Sequence, residues 1–265
     1  MPSAAQFVLI RPGPREAALY VSEQTSLDVL CTLRRMSKNN REATNLLLAA
    51  LPRDEGERLI AAMDVVTLPF GKVLYEPGQA LKHVYFPLDC VVSLLTLAGN
   101  HQAVEVAVAG CDSMLGLPLA LGSEVSNVRV MVKCGGTAMR LASARFLKEL
   151  GSSPALQRLL QRYGNTLMTQ LMHTATCNRF HTLQQRFARS LLMVRDRAPA
   201  VEFSLTQEFL ANMRGVRRVG VSAVASALQK RKLISYSRGK IRITSNRSLE
   251  AAACACYQTM RSVPA

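Results

Sequence analysis

Several features of common protein classes are missing from this sequence. No stretch approaches the roughly 18 consecutive apolar residues that a membrane-spanning helix needs. The apolar patch at Phe7–Ile10 is followed at once by Arg11 and Pro12, so it is too short for the core of a signal peptide. The seven cysteines are odd in number and scattered, unlike a disulfide framework. We therefore expect a cytoplasmic protein without a membrane partner.

Acidic residues are also scarce. The 265-residue chain has 33 lysines and arginines against 18 aspartates and glutamates, a formal net charge of +15. Such an excess is typical of proteins that bind polyanions, either nucleic acid or an anionic membrane surface, although a basic soluble enzyme has the same balance. Nearly half of the residues are hydrophobic. The chain can therefore form a substantial core, and its length suits two modest domains.

The residue pattern in the first half of the chain predicts a tail followed by a β-rich domain. Residues 1–40 mix proline, glycine, serine, arginine and asparagine without periodicity, which favours a flexible tail. From Val65 to Arg140, short apolar or alternating runs are separated by turn residues at roughly 8–12-residue spacing, as in an antiparallel sandwich or barrel. The run QAVEVAVA alternates strictly and predicts a strand with one buried face. We assign this domain to residues 41–150, with Asn45 capping a short first helix.

A long amphipathic helix is predicted next. After Pro154, turn residues largely vanish, and apolar residues recur every three or four positions. A long helix with one apolar seam after a small β domain often pairs with its own copy. We therefore expect residues 151–180 to form a dimerisation helix, and packing of the seam on its own domain is the alternative. The predicted seam consists of Leu156, Leu160, Tyr163, Leu167 and Leu171.

The basic excess is concentrated in residues 181–265, where from Val201 onward 11 lysines and arginines face three acids. In LTQEFLANMRGVRRVGVSAVASALQKRKL, Ala211 falls where two helices cross and Gly215 falls at the turn, which is the spacing of a helix-turn-helix. LISYSRGKIRIT predicts a β-hairpin with Arg238 and Gly239 at its turn, a wing whose basic tip lies on a phosphate backbone. The residues expected to contact DNA are Thr206, Gln207, Arg214, Arg217, Arg218, Ser222, Lys230, Arg238 and Lys240.

Over about residues 44–257 the chain resembles the Crp/Fnr superfamily of bacterial transcription regulators. The resemblance lies in GKVLYEPGQALKHVYFPLDCVVSLLTL, VEVAVAGCDSMLGLPLALG, CNRFHTLQQRFARSLLMVRDR and LTQEFLANMRGVRRVGVSAVASALQKRKLISYSRGKIRI. It implies an α+β fold: an antiparallel, jelly-roll-like β-roll of the cyclic-nucleotide-binding type as sensor domain, a long dimerisation helix and a C-terminal winged helix-turn-helix. It also implies a homodimer that binds a two-fold-symmetric site in double-stranded DNA, acts with RNA polymerase and responds to a small-molecule effector.

In the ungapped match, Arg218 falls on a recognition-helix arginine that many family members use against guanine. Val219 and Ala223 stand where those members have polar base readers, so the preferred DNA site should differ from theirs. Arg214 falls at a position where an apolar residue normally faces the core; its stem either snorkels or its charge adds a phosphate contact.

The effector region departs from the cyclic-AMP-binding members of the family. Gly116 keeps the glycine of their phosphate cassette, but Leu117 replaces the glutamate that binds the ribose. Asn127 and Val128 replace the phosphate-binding arginine and its partner, and Arg129 lies nearby, out of register on the strand. A buried phosphodiester without a cation lacks its charge-assisted contact. We therefore expect no response to cyclic AMP.

Metal and catalytic sites are not expected. The closely spaced N-terminal cysteines of the iron–sulfur members are missing. His173, Cys177 and His181 share one helix face, which raises a metal or haem hypothesis, but packing is the preferred reading. Cys254-x-Cys256 is too isolated for a zinc site, which would need two more ligands.

The sequence contains no glycine-rich phosphate loop, nucleophile elbow or paired carboxylates on a shared element. A cupin-like metal enzyme is the alternative, although the β-rich region has only His83 and His101. A nucleotide-regulated scaffold is a further alternative, which the winged helix disfavours. We expect no enzymatic activity, no cofactor and no metal.

Overall fold

The β-rich region folds into two antiparallel sheets that share one apolar core and do not close into a barrel. The computed structural model describes residues 44–98, 102–198, 202–204 and 218–262. The first sheet has the order β1, β7, β3, formed by Asp64–Leu68, Gly136–Ala142 and His83–Pro87. The second has the order β2, β6, β4, β5, formed by Val73–Tyr75, Arg129–Cys134, Val91–Ala98 and Gln102–Ala109. The predicted antiparallel β domain is thus confirmed.

One strand differs from its predicted pattern. β5 is the alternating QAVEVAVA run, but its last three residues, Ala107, Val108 and Ala109, are all buried. The reason is that a long helix covers the second face: the side chain of Gln170 accepts from the backbone N–H of Val108 at 2.8 Å and donates to its carbonyl at 3.3 Å.

In the described part of the chain, six helices precede the C-terminal elements. They are α1 Leu46–Ala49, α2 Arg53–Ala61, α3 Leu117–Ala120, α4 Ser143–Ser152, α5 Pro154–Phe180 and α6 Leu183–Arg197. Asn45 caps α1 as predicted, because its side-chain oxygen accepts from the N–H groups of Leu47 and Leu48. The predicted long helix is α5, which Ser153 caps and Pro154 begins. No helix in the described ranges is both long and apolar enough to span a membrane.

The predicted dimer seam needs correction. Leu156, Leu160 and Tyr163 are each at most 3% exposed and belong to the core of the chain's own β-roll. The hydroxyl of Tyr163 also donates to the carbonyl of Met114 at 3.0 Å. Leu167 is half-buried against the same core. A periodic apolar stripe does not reveal which surface it covers, and here its first half covers the roll.

The C-terminal region combines a small sheet with short helices. Its sheet has the order β8, β10, β9, formed by Glu202–Ser204, Lys240–Ile243 and Ile234–Ser237. Three helices lie in its described residues: α7 Arg218–Lys230, α8 Asn246–Ala252 and α9 Cys256–Ser262. We call β8, α7, β9, β10 and α8 the winged domain. Val221, Leu228 and Ile241 are fully buried in a second core that also includes α6.

Polar contacts connect the roll to α6. The ammonium of Lys133, fully buried on β6, lies 2.6 Å from the carboxylate of Glu105 and 3.5 Å from the hydroxyl of Ser190 on α6. Arg197, at the end of α6, pairs with Asp112 at 2.9 Å. These contacts join the β-roll to α6, the helix that precedes the C-terminal sheet.

Candidate nucleic-acid interface

α7 presents a narrow face of small residues outside the core. Val221, Ala225 and Leu228 are at most 1% exposed, whereas Val219 is 78% exposed and Ala223 is exposed one turn later. A Cβ at Gly220 would lie 3.3 Å from the side chain of Leu183 on α6, so the glycine allows the two helices to approach closely. The exposed face is slim enough to enter a major groove about 12 Å wide.

The predicted wing is confirmed. β9 and β10 pair in register from Lys240 with Ser237 to Ile243 with Ile234. Arg238 and Gly239 connect them with φ values of 48° and 79°, the positive pair that a two-residue type I′ turn requires. Arg238 and Lys240 are both exposed. The tip of the hairpin therefore carries two cations into solvent.

The end of α7 extends this basic surface. The α-helix closes in a Schellman motif: Lys232 has a positive φ of 56°, and the N–H of Leu233 donates to the carbonyl of Leu228 at 3.0 Å. Lys230, Arg231 and Lys232 are all exposed there. Only Lys230 of these three is among the predicted DNA contacts; three adjacent cations in the sequence are the signal that points to Arg231 and Lys232 as well.

Cations outnumber acids around the wing. Arg242 and Arg247 add exposed cations there, and Glu202 on β8 lies opposite Arg242 in the sheet. The sole acid between residues 218 and 262 is Glu250, and it lies 3.3 Å from Arg195 and 3.9 Å from Arg261. The surface around the wing is therefore strongly positive, as contact with a polyphosphate backbone requires.

The remaining predicted DNA contacts are only partly located. Ser222 is half-buried on α7, and Arg218 is its first residue. Four residues lie outside the described residues: Thr206, Gln207, Arg214 and Arg217. The helix crossing at Ala211 and the turn at Gly215 lie outside them as well.

The residues of the predicted effector pocket take part in core packing and in an ion pair. Gly116 has a φ of 97°, and a Cβ there would approach the Val84 side chain to 2.9 Å. Leu117 is 6% exposed and part of the roll core. Close packing and the positive φ therefore require glycine at position 116, and the neighbouring Leu117 fills space in the core.

The cation of the predicted pocket is already engaged. The Arg129 Nε donates to both carboxylate oxygens of Glu76, at 3.0 and 2.8 Å. Asn127 is exposed and Val128 is half-buried. Arg129 is the one cation among these pocket residues. A phosphate next to it would also lie next to the Glu76 carboxylate, which would repel it.

Metal-ligating side chains meet elsewhere. Within the described ranges, one group of three or more such residues comes together: Cys177, His181, Cys254 and Cys256, whose ligand atoms all lie within 4.8 Å of one another. The expectation that Cys254 and Cys256 are isolated is thus wrong, and His173 is not part of the group. His83 lies in the roll outside this group, and His101 lies outside the described residues. The cupin-like alternative therefore lacks a ligand cluster in the described part of the roll.

Comparisons with known proteins agree with this architecture. A family model described as the Crp-like helix-turn-helix domain matches residues 185–252. None of the curated proteins matches the chain.

Three of the similar solved structures are bacterial regulators. The c-di-GMP-responsive global regulator CLP of Xanthomonas campestris is 15% identical with a TM-score of 0.60, covering 74% of this chain and 100% of its own. FixK2 of Bradyrhizobium japonicum is 14% identical with a TM-score of 0.59, covering 73% and 98%. A CRP-family regulator of Thermus thermophilus is 17% identical with a TM-score of 0.56, covering 71% and 96%. Residues 185–252 thus form a Crp-like helix-turn-helix domain, and the fold of the chain, shared with these structures, supports a regulator of the Crp/Fnr type.

Proposed function

We propose that the protein is a homodimer that recognises a two-fold-symmetric DNA site, with half-sites about 10–10.5 bp apart. The observation that carries this proposal is the slim exposed face of α7 beside a wing with an exposed Arg238 and Lys240. The helix supplies groove contacts, and the wing supplies phosphate contacts. The family resemblance further supports contact with RNA polymerase and a cytoplasmic location.

Base recognition is assigned to the first turn of α7. Arg218 starts the helix, and an arginine at that end of a recognition helix reads guanine through two hydrogen bonds. Val219 and Ala223 offer only apolar contacts, suited to thymine methyl groups. Arg217 contacts the backbone or the adjacent base.

The test compares base-pair preferences after removal of one cation at a time. In binding-site selection, Arg218→Ala should lose about 1–3 kcal/mol on the best site and flatten preference at one base pair of each half-site. Lys240→Gln is the matched control, since it should weaken all sequences about equally. If Arg218→Ala also weakens every sequence uniformly, Arg218 contacts phosphate only.

The dimer interface is assigned to the far half of α5. Met168, Leu171 and Met172 are 58%, 38% and 56% exposed, and Ala175 is exposed on the same side. Positions three and four apart lie on one helix face, so these residues form an apolar stripe turned away from the roll. A second copy of α5 is the proposed occupant, in keeping with the resemblance to dimeric regulators.

The sensor domain is proposed not to bind cyclic AMP. This rests on the buried Leu117 and on the Arg129–Glu76 pair, which leaves no uncommitted cation among the pocket residues. An effector of the roll, if this protein has one, would need chemistry other than a cyclic phosphodiester.

A further inference from the structure

Two pairs of metal-ligating residues, far apart in sequence, meet at the junction between α5 and the C-terminal helices. Cys177 lies in the last turn of α5, and His181 is its C-cap, so both face the same side. Cys254 and Cys256 lie at the connection from α8 to α9. Cys177 and Cys254 are separated by 77 positions, yet their sulfurs are 3.3 Å apart. The three thiols are at most 6% exposed and the imidazole is half-buried.

We propose that Cys177, His181, Cys254 and Cys256 bind one Zn²⁺ ion as a structural site. Three thiolates and one imidazole are a common ligand set for structural zinc. Zinc–sulfur bonds of about 2.3 Å in a tetrahedron place sulfurs about 3.8 Å apart. The 3.3 Å between Cys177 and Cys254, and the 3.8 Å from Cys256 Sγ to His181 Nδ1, are close to such spacings. An iron–sulfur cluster would put several atoms between its ligands and so needs a wider arrangement.

A buried arginine supplies a second, independent argument. Arg189 on α6 is 5% exposed and forms no ion pair within the described part of the chain. Its Nε is buried without a hydrogen-bond partner, and its Nη1 lies 3.1 Å from the sulfur of Met260. An isolated buried charge is costly. Three thiolates and one divalent ion leave a net negative charge, which would compensate this guanidinium.

The two buried cysteines of the roll differ from the group. Metal binds the thiolate, not the thiol, and burial raises the pKa of Cys90 to about 12 and that of Cys134 to about 11. We therefore expect neither of these two thiols to contribute to the zinc content.

The position of the site gives it a role in DNA binding. Two ligands precede the winged domain and two follow it, so one ion would fix both ends of this region to the last turn of α5. Because α5 also carries the proposed dimer stripe, the ion would hold each recognition helix at a set distance from its copy. The ion is thus a positioning element, and its presence is testable without DNA.

The first test is the metal content of the full-length protein purified without chelators. We expect about one zinc per chain by plasma mass spectrometry, and a loss of at least about tenfold in Cys254→Ser and Cys256→Ser. Cys111→Ser, a cysteine outside the group, is the matched control and should retain zinc. His181→Cys replaces the imidazole with a fourth thiolate and should also retain zinc. His173→Gln removes a histidine of the same helix outside the group and should leave the zinc content unchanged.

Cobalt substitution of the wild-type chain keeps the test valid if the serine variants fail to fold. Tetrahedral thiolate-bound Co²⁺ should give intense visible d–d bands and a sulfur-to-metal charge-transfer band, and these should disappear when Zn²⁺ is added. Arg189→Leu should weaken zinc affinity by about tenfold in a chelator competition. Chelation should also increase amide hydrogen exchange in α8 and α9.

Three results would overturn the proposal. These are a wild-type chain without stoichiometric metal, a chain that carries iron instead of zinc, or a Cys177–Cys254 disulfide found by mass spectrometry in protein prepared under reducing conditions. A zinc-loaded protein that fails to bind DNA specifically would contradict the proposed function and leave the metal site intact. The two conclusions therefore fail separately.

Discussion

Charges placed on the exposed stripe of α5 should separate the protomers without unfolding them. Met168 and Met172 are 58% and 56% exposed in the single chain. Their burial in a dimer would therefore cover slightly more than one full side chain per protomer, and twice that per dimer. At about 1.5–3 kcal/mol for each fully buried side chain, the four methionines contribute about 3–7 kcal/mol. Replacing both methionines with glutamate removes this contribution to the dimerisation free energy and places like charges opposite each other across the interface.

Sedimentation velocity over a concentration series measures the effect. A loss of about 4 kcal/mol raises the dimer dissociation constant about a thousandfold, so Met168→Glu/Met172→Glu should sediment as a monomer at micromolar concentration. Its circular dichroism should match the wild type, because both positions face solvent in the monomer. Leu121→Glu, at a residue 68% exposed on the roll, is the control and should remain dimeric. A double variant that dimerises as tightly as the wild type would refute the assignment of the interface.

Three further outcomes are expected. Arg238→Gln and Lys240→Gln should each reduce the slope of log affinity against log salt by about one unit. Lys148→Gln, an equal charge change on α4, should leave the slope unchanged. If Lys148→Gln reduced the slope as much as the wing variants, the wing would not contact the phosphates. Lys133→Met leaves the buried Glu105 carboxylate without its cation and should lower the free energy of unfolding, measured in urea, by about 3–5 kcal/mol. The double variant Lys133→Met/Glu105→Leu should recover much of this loss. If it recovers none, the two residues are not energetically coupled. Calorimetry with millimolar cyclic AMP should show no saturable heat, and micromolar binding would contradict the account of Leu117 and Arg129.

Much of the fold is readable from local chemistry. Turn residues between short apolar runs predicted the roll, and the Arg238–Gly239 pair predicted the wing, because positive φ at two adjacent positions is a local requirement. Asn45 shows the same for a helix start, where a side-chain oxygen must satisfy free N–H groups. Such features depend only on residues that are close together in the chain, so they can be predicted from a single sequence.

Features that depend on tertiary packing could not be predicted from the sequence in the same way. The stripe from Leu156 to Leu171 has helical period, but period alone does not distinguish a partner's helix from the chain's own roll. The Cys/His group was missed for a related reason: each half was visible as a short spacing, but the 77 positions between Cys177 and Cys254 concealed that they meet. The pairing of Arg129 with Glu76, 53 positions away, is also a tertiary contact that the sequence did not predict.

Binding-site selection with the wild-type protein from a random duplex library tests whether the chain recognises a two-fold-symmetric DNA site. We expect enrichment of an inverted repeat with half-site centres about 10–10.5 bp apart, and bound complexes with two chains per duplex. The enrichment should persist at physiological salt, where nonspecific phosphate contacts weaken. Binding without sequence enrichment, abolished uniformly by salt, would contradict such recognition.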